Sequence, residues 1–331
     1  MMDVHAEQRH RLLLKSQEKL DPLSDEAMNE LELAIRADPA SFVNDNSEEA
    51  FALFTQAIDQ YRASRTKDFE LTDNDYIQMR TQALDQLYES CQQILAIDPH
   101  CIDARVCSLL ASDYEQDVLL DELLYIADKE FIDSFMNVDP ITGDIWVDVF
   151  ARPRLRLKAL IARTYLESGR YKRALETCYE LLRVSPLDMV GARRTAVLAL
   201  ARLADEDGFM RLEKQHYRNS DAWLHLAHTI LLYKLGRMPA AKRALRGFNS
   251  LCDGAAYALL VPAFVDVYIP DRPGFEAGSY AESMLAVREA DFIIQEVPDF
   301  PYWASMQDSF LHDAYQYSQD NRLMWPGDLD I

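Results

Sequence analysis

The sequence predicts an all-α protein, and three observations carry that expectation. Apolar residues recur at the 3–4 residue spacing of a helix face over long stretches. Helix breakers are scarce, with 10 Gly and 13 Pro in 331 residues. Leu, Ala, Glu, Arg and Asp dominate the composition, which favours helix. With 49% hydrophobic residues, the chain holds enough apolar material for one large core or for two domains.

The clearest segment runs from Leu155 to Pro186. Leu157, Leu160, Ile161, Thr164 and Tyr165 share one helix face, and Gly169 stops that helix. Tyr171, Ala174, Leu175, Cys178, Leu181 and Leu182 continue the spacing on a second helix. Pro186 ends it, because the residue before a proline disfavours helical angles. Two helices joined by a tight glycine turn make an αα-hairpin.

Ala162, Tyr165, Gly169, Tyr171, Ala174 and the closing Pro186 together resemble a tetratricopeptide (TPR) repeat. The resemblance implies that Ala162 packs against Ala174 across the hairpin. Lys158 stands where that family has a tryptophan, and Cys178 where it has a large aromatic. It extends more loosely over residues 76–250. Tyr76–Ile97 closes on Asp98-Pro99, and Ile102–Ala111 opens the next unit. Leu187–Leu203 is followed by a break at Asp205–Gly208 and a short helix Phe209–His216. Ala222–Leu235 turns at Gly236-Arg237, as Gly169-Arg170 does. The implied architecture is a right-handed α-solenoid of TPR-like hairpins with extra N- and C-terminal helices. Its expected regions are an N-terminal helical part (1–75), the repeats (76–254, best repeat 155–186), a C-terminal helical cap (255–320) and a flexible tail (321–331). Repeats, a loop and then Gly278-Ser279-Tyr280-Ala281-Glu282 on a helix are also similar to the C-terminal half of the suppressor of tumorigenicity 7 family and its bacterial relatives, which implies the same helical layout and no catalytic residue.

Outside the repeats, Ser24 and Ser47 read as N-caps of helices to Ala37 and Ala63. Asn137–Val149 and Pro270–Gly278 read as loops. Ser279–Glu296 and Tyr302–Ser318 read as two helices.

The first 20 residues are charged throughout, so no secretory signal is expected. No apolar run reaches the ~18 residues of a membrane helix. The five cysteines form no C-x-x-C pair, which points to a reducing, cytoplasmic setting. Net charge is −21, unevenly placed: residues 1–150 carry −21, 151–250 carry +11 and 251–331 carry −11. The overall acidity argues against nucleic acid as a general partner. A basic middle between acidic ends argues for an acidic partner, or for the ends neutralising the middle.

Chemistry-bearing motifs are sparse. His225 and His228 lie at i, i+3, without an acidic companion or an H-E-x-x-H pattern, so no metal is expected. Cys178 falls on an apolar face and should be buried and inert. Neither a phosphate-binding glycine loop nor a G-x-S-x-G elbow is present. The chain reads as a non-enzyme without a cofactor.

The arginines are the functional lead. The first helix of each repeat lines the groove in the TPR family, which implies an inward face of Arg156, Ala159, Arg163 and Leu166 here. Arg193 and Arg194 follow on the next first-helix. Trp223, Leu226, Ile230 and Tyr233 follow on the third. Arginine forks match carboxylates, and a groove with Trp and Tyr on its other side suits a short acidic, aliphatic peptide. Ala159 and Leu166 replace the residues of a chaperone-type carboxylate clamp. The expected function is therefore a protein-interaction scaffold whose partner-binding residues are Arg156, Arg163, Arg193, Arg194, Trp223 and Tyr233. The alternatives are a ligand-gated regulatory subunit of a larger complex, or an RNA-binding helical repeat. The arginines could equally pair with the chain's own acidic ends. The terminal Gly327-Asp328-Leu329-Asp330-Ile331 is one candidate for such a self-contact.

Overall fold

A computed structural model describes residues 3–20, 22–65, 73–112, 114–130, 132, 136, 143–217, 220–262, 269 and 272–326. Among these residues there are sixteen α-helices and no strand. No helix there is long and apolar enough to cross a membrane. The chain divides into two compact units: residues 1–161 with 268–273, and residues 162–267 with 274–331. That border lies inside the stretch 76–254 that the sequence assigns to repeats.

The first unit holds α1 (Val4–Gln17), α2 (Asp25–Ala37), α3 (Asn46–Ser64), α4 (Asp73–Ile97), α5 (Ile102–Ala111), α6 (Gln116–Lys129) and the start of α7 (Arg152–Glu167). Helix α1 packs on α2 and α3, and α3 to α6 pack each on the next. Their core includes Phe54, Ile58, Leu87, Cys91, Ile94 and Leu123. The α3 cap differs from expectation. Asp45, not Ser47, accepts the Glu48 N–H at 2.9 Å, which moves Ser47 into the first turn. Ser24 does cap α2. Helices α1 and α6 escaped the sequence reading. Residues 137–142 of the expected loop lie outside the described residues, and Ile145–Val147 form a 3-10 turn.

The second unit continues with α8 (Tyr171–Val184), α9 (Ala192–Leu203), α10 (Glu206–His216), α11 (Ala222–Lys234), α12 (Met238–Leu251), α13 (Ala255–Leu260), α14 (Tyr280–Glu296), α15 (Asp299–Ser305) and α16 (Phe310–Asn321). Helices α7, α9 and α11 end alike. In each, one residue takes a left-handed conformation: Gly169 (φ 78°), Ala204 (φ 54°) and Gly236 (φ 70°). Each exit closes with a pair of backbone bonds. Arg170 N–H donates to Tyr165 O (2.7 Å) and Gly169 N–H to Leu166 O (3.2 Å). The same pair recurs from Asp205 to Leu200 and Ala204 to Ala201, and from Arg237 to Leu232 and Gly236 to Tyr233. This is the Schellman arrangement, which satisfies the last carbonyls of a helix. Positions 169, 204 and 236 are spaced by roughly the 34 residues of a helical-hairpin repeat. Helix α8 packs on α9, α9 on α10 and α11, and α11 on α12.

Three boundaries differ from expectation. Helix α9 starts at Ala192 rather than Leu187. The buried Asp188, itself at φ 53°, accepts the Ala192 and Arg193 N–H groups and acts as its start signal. The break after α9 falls at Ala204-Asp205, so α10 starts at Glu206 rather than at Phe209. Asp205 caps α10 through the Gly208 N–H, and Gly208 fits because a Cβ would collide with the Asp205 carboxylate and Leu200. The expected helix Tyr302–Ser318 is instead α15 and α16. They part at Asp308 (φ 41°), which is held by Lys242 at 2.9 Å and Arg246 at 2.6 Å. The sequence predicts a flexible tail over 321–331. Residues 327–331 lie outside the described residues, but Met324 O accepts the Tyr257 hydroxyl at 2.7 Å, and Trp325 packs on Tyr257 and Tyr315.

Candidate functional site

Arg156 lies in the first unit and is buried. Its guanidinium holds Glu7 through two 3.0 Å bonds, and it holds Asp103 through two more. Burial would lower its pKa, but the two carboxylates outweigh burial, so the arginine is held charged above its ordinary range. An arginine fork saturated by two of the chain's own carboxylates offers nothing to a groove. Its expected place among the partner-binding residues is therefore corrected. Nearby, Arg11 pairs with Glu48 at 2.8 Å and lies over the rings of Phe51 and Phe150.

The remaining five expected residues belong to the second unit. Arg163 is buried rather than lining an open surface. Arg193 meets Asp188 at 3.3 Å and lies over the Tyr217 ring. Arg194 donates to Asp221 at 3.1 Å and sits over both Trp223 and Phe275. Trp223 is fully buried, and its Nε1 donates to Glu289 at 2.8 Å. Tyr233 packs on Phe300 and Trp303. Arg193 and Arg194 lie on α9, and Trp223 and Tyr233 on α11, two helices that pack together. The face made by α9 and α11 is not open.

Helix α14 occupies it, packing on α11 and α9. Glu282 in its first turn accepts the Ala222 N–H at 3.0 Å, at the start of α11. Glu289 takes the Trp223 indole N–H at mid-helix. Glu296 pairs with Arg202 and, at 2.7 Å, with Lys234, at the ends of α9 and α11. Helix α14 therefore runs parallel to α11. Its three contact carboxylates stand seven residues apart, which puts them on one stripe. Apolar contacts fill the rest: Phe292 stacks on Tyr171 at 5.9 Å, and Leu285, Ala286, Ala290 and Ile293 are buried. Arg202 lies over the same Tyr171 ring at 4.7 Å.

The start of α14 is built locally. Ser279 caps it by accepting the Glu282 N–H, in the S-x-x-E pattern of a capping box. Here the Glu282 carboxylate turns to the Gly278 and Ala222 N–H groups. It thereby adds to the caps of two helices, since the Asp221 carboxylate takes the Leu224 N–H of α11 and Glu282 takes the Ala222 N–H. The glutamate row escaped the sequence reading, although the signal was present as Glu at 282, 289 and 296 on an expected helix.

His225 and His228 do not share a site. His228 stacks on Phe209 at 5.2 Å, and the buried His225 Nε2 has no hydrogen-bond partner among the described residues. Burial lowers the pKa of both. Among the described residues, no group of three or more His, Cys, Asp or Glu side chains is arranged to hold a metal ion. No protein-family model, curated protein or solved structure matches the chain.

Proposed function

We propose that the protein is a non-enzymatic interaction scaffold of the cytoplasm: a right-handed α-solenoid of TPR-like hairpins that binds an acidic protein or peptide segment on the face made by α9 and α11. The observation that carries this reading is the chemistry of that face. Arg202, Lys234, the Trp223 indole and the Ala222 amide converge on carboxylates, and Tyr171 of the neighbouring α8 offers a ring to an aromatic side chain. Such a surface fits the helix-in-groove mode of recognition. The three exits at Gly169, Ala204 and Gly236 support the repeat architecture. The five free cysteines suit a reducing compartment. Arg193, Arg194, Arg202 and Lys234 all have carboxylate partners within the chain, which favours a protein ligand over RNA.

The test is crosslinking of the full chain to partners captured from native cytosol, comparing wild type with Lys234→Glu. The expected result is crosslinks at α9, α11 and α14 to a partner whose capture the substitution reduces. Crosslinks confined to the first unit, with capture unchanged by Lys234→Glu, would overturn the reading.

A further inference from the structure

We infer that α14 is a resident ligand, and that the external occupant of its face is an acidic amphipathic helix with glutamates seven residues apart, bound in exchange with α14. This rests on the scaffold reading above and names its partner's chemistry.

The argument starts from what an ordinary core helix requires. Apolar burial alone would seat α14 against α9 and α11, and buried carboxylates oppose that burial unless they are paired. Yet α14 turns three carboxylates to that face: Glu282, only 2% exposed, the half-buried Glu289, and Glu296, which pairs at the exposed rim. Each meets a different kind of donor: a helix-start amide, an indole N–H and a pair of cations. These donors sit at the start, near the first turn and at the end of the face. A helix one residue out of register, or with its direction reversed, would lose all of them together. The contacts therefore specify direction, register and charge, which is how a surface selects a ligand.

The face is also independent of α14 in chain order. Helices α9 and α11 lie at 192–234, and α14 begins at Tyr280. Among the described residues between α13 and α14 there is no helix or strand. A tethered occupant raises the affinity a competitor must have, because the face is free only in the fraction of molecules whose α14 is released. An outside helix that reproduces the glutamate stripe competes on equal contacts. Weakening α14 without touching the face should therefore strengthen outside binding.

The experiment uses the full chain and a fluorescent synthetic peptide of residues 279–297, read by anisotropy at low salt. Wild type is compared with the double variant Glu296→Gln, Phe292→Ala, which loosens α14 and leaves α9 and α11 intact. The expected result is weak binding by wild type and at least ~10-fold tighter binding by the variant, as the released fraction rises. A peptide with all three glutamates changed to glutamine should bind the variant at least ~10-fold more weakly. A folded variant that binds no better than wild type, or that ignores the peptide's glutamates, overturns the inference. Should the variant unfold, amide exchange on the wild type decides. Protection of 280–296 below that of 222–234 supports release of α14, whereas equal protection makes it permanent core and overturns the inference. A partner that crosslinks to the second unit while α14 never exchanges would leave the scaffold reading standing alone.

Discussion

Gly169 and Ala204 end α7 and α9 in the same left-handed turn, with the same pair of closing hydrogen bonds, yet only one of them is a glycine. An L-residue there carries a steric penalty of ~1–2 kcal/mol that glycine avoids. Ala204→Gly should therefore stabilise the protein by up to ~1 kcal/mol, net of glycine's greater unfolded-state freedom. Gly236→Ala should destabilise by a similar amount, because nothing lies within 4 Å of the added methyl and backbone strain alone acts. Urea titrations of the two variants should move in opposite directions; parallel shifts would contradict the turn assignment.

Glu7 and Asp103 share Arg156 in the interior of the first unit, and Arg152 approaches Glu7 at 3.8 Å. Arg156→Ala removes the shared partner of two buried carboxylates and should cost ~3–5 kcal/mol. Replacing all three with apolar residues (Glu7→Met, Asp103→Leu, Arg156→Met) should recover most of that loss. Chemical denaturation of both variants measures the difference. A mild effect of Arg156→Ala would mean that the carboxylates find other partners.

Ala162 and Ala174 are both buried where the hairpin expectation requires small side chains. Ala174→Leu should overpack and cost ~1–3 kcal/mol. An unchanged melting curve would reject that register.

Burial lowers the pKa of His225, with Asp221, Glu213 and Glu282 acting against it and His228 with it. For His228, burial likewise outweighs Glu213 and Glu206. A depressed histidine pKa means that the unfolded chain binds protons first as pH falls. The stabilising contribution is whole above about 6.5, the unfolded value, and is lost as pH falls toward the lower folded values. The melting temperature should hold between about pH 7 and 8 and decline below about 6.5. His225→Leu should flatten that decline, and a decline of unchanged depth would place the acid sensitivity elsewhere.

Much of the helical layout was legible in the sequence because turn chemistry is local. Gly169, Gly236, Ser24 and Ser279 mark helix ends by their own residue type. The misplaced boundaries depend on contacts that spacing does not reveal. Asp188 starts α9 with a carboxylate, and Asp308 splits the last helices through Lys242 and Arg246. The candidate site was half legible. Residue type and repeat position pointed to Arg193 and Arg194 on one helix and to Trp223 and Tyr233 on the helix that packs against it. Whether the face of these two helices was open depended on Glu282, Glu289 and Glu296, tens of residues downstream, and periodicity carries no information about which helix covers which. Arg156 was misread for the same reason, since Glu7 lies 149 positions away.

The bond from Ala222 N–H to Glu282 spans 60 positions of chain, and this puts a clock into synthesis. A ribosome adding ~5–20 residues per second makes α11 about 3–12 s before it makes the carboxylate that adds to its cap. For that interval the nascent chain displays the Trp223 surface, Arg202 and Lys234 without their cover. A helper protein that shields nascent chains, or an acidic helix already waiting nearby, meets the face during those seconds with no competitor attached. Slowing translation across 235–280 lengthens that window, and speeding it closes the window early.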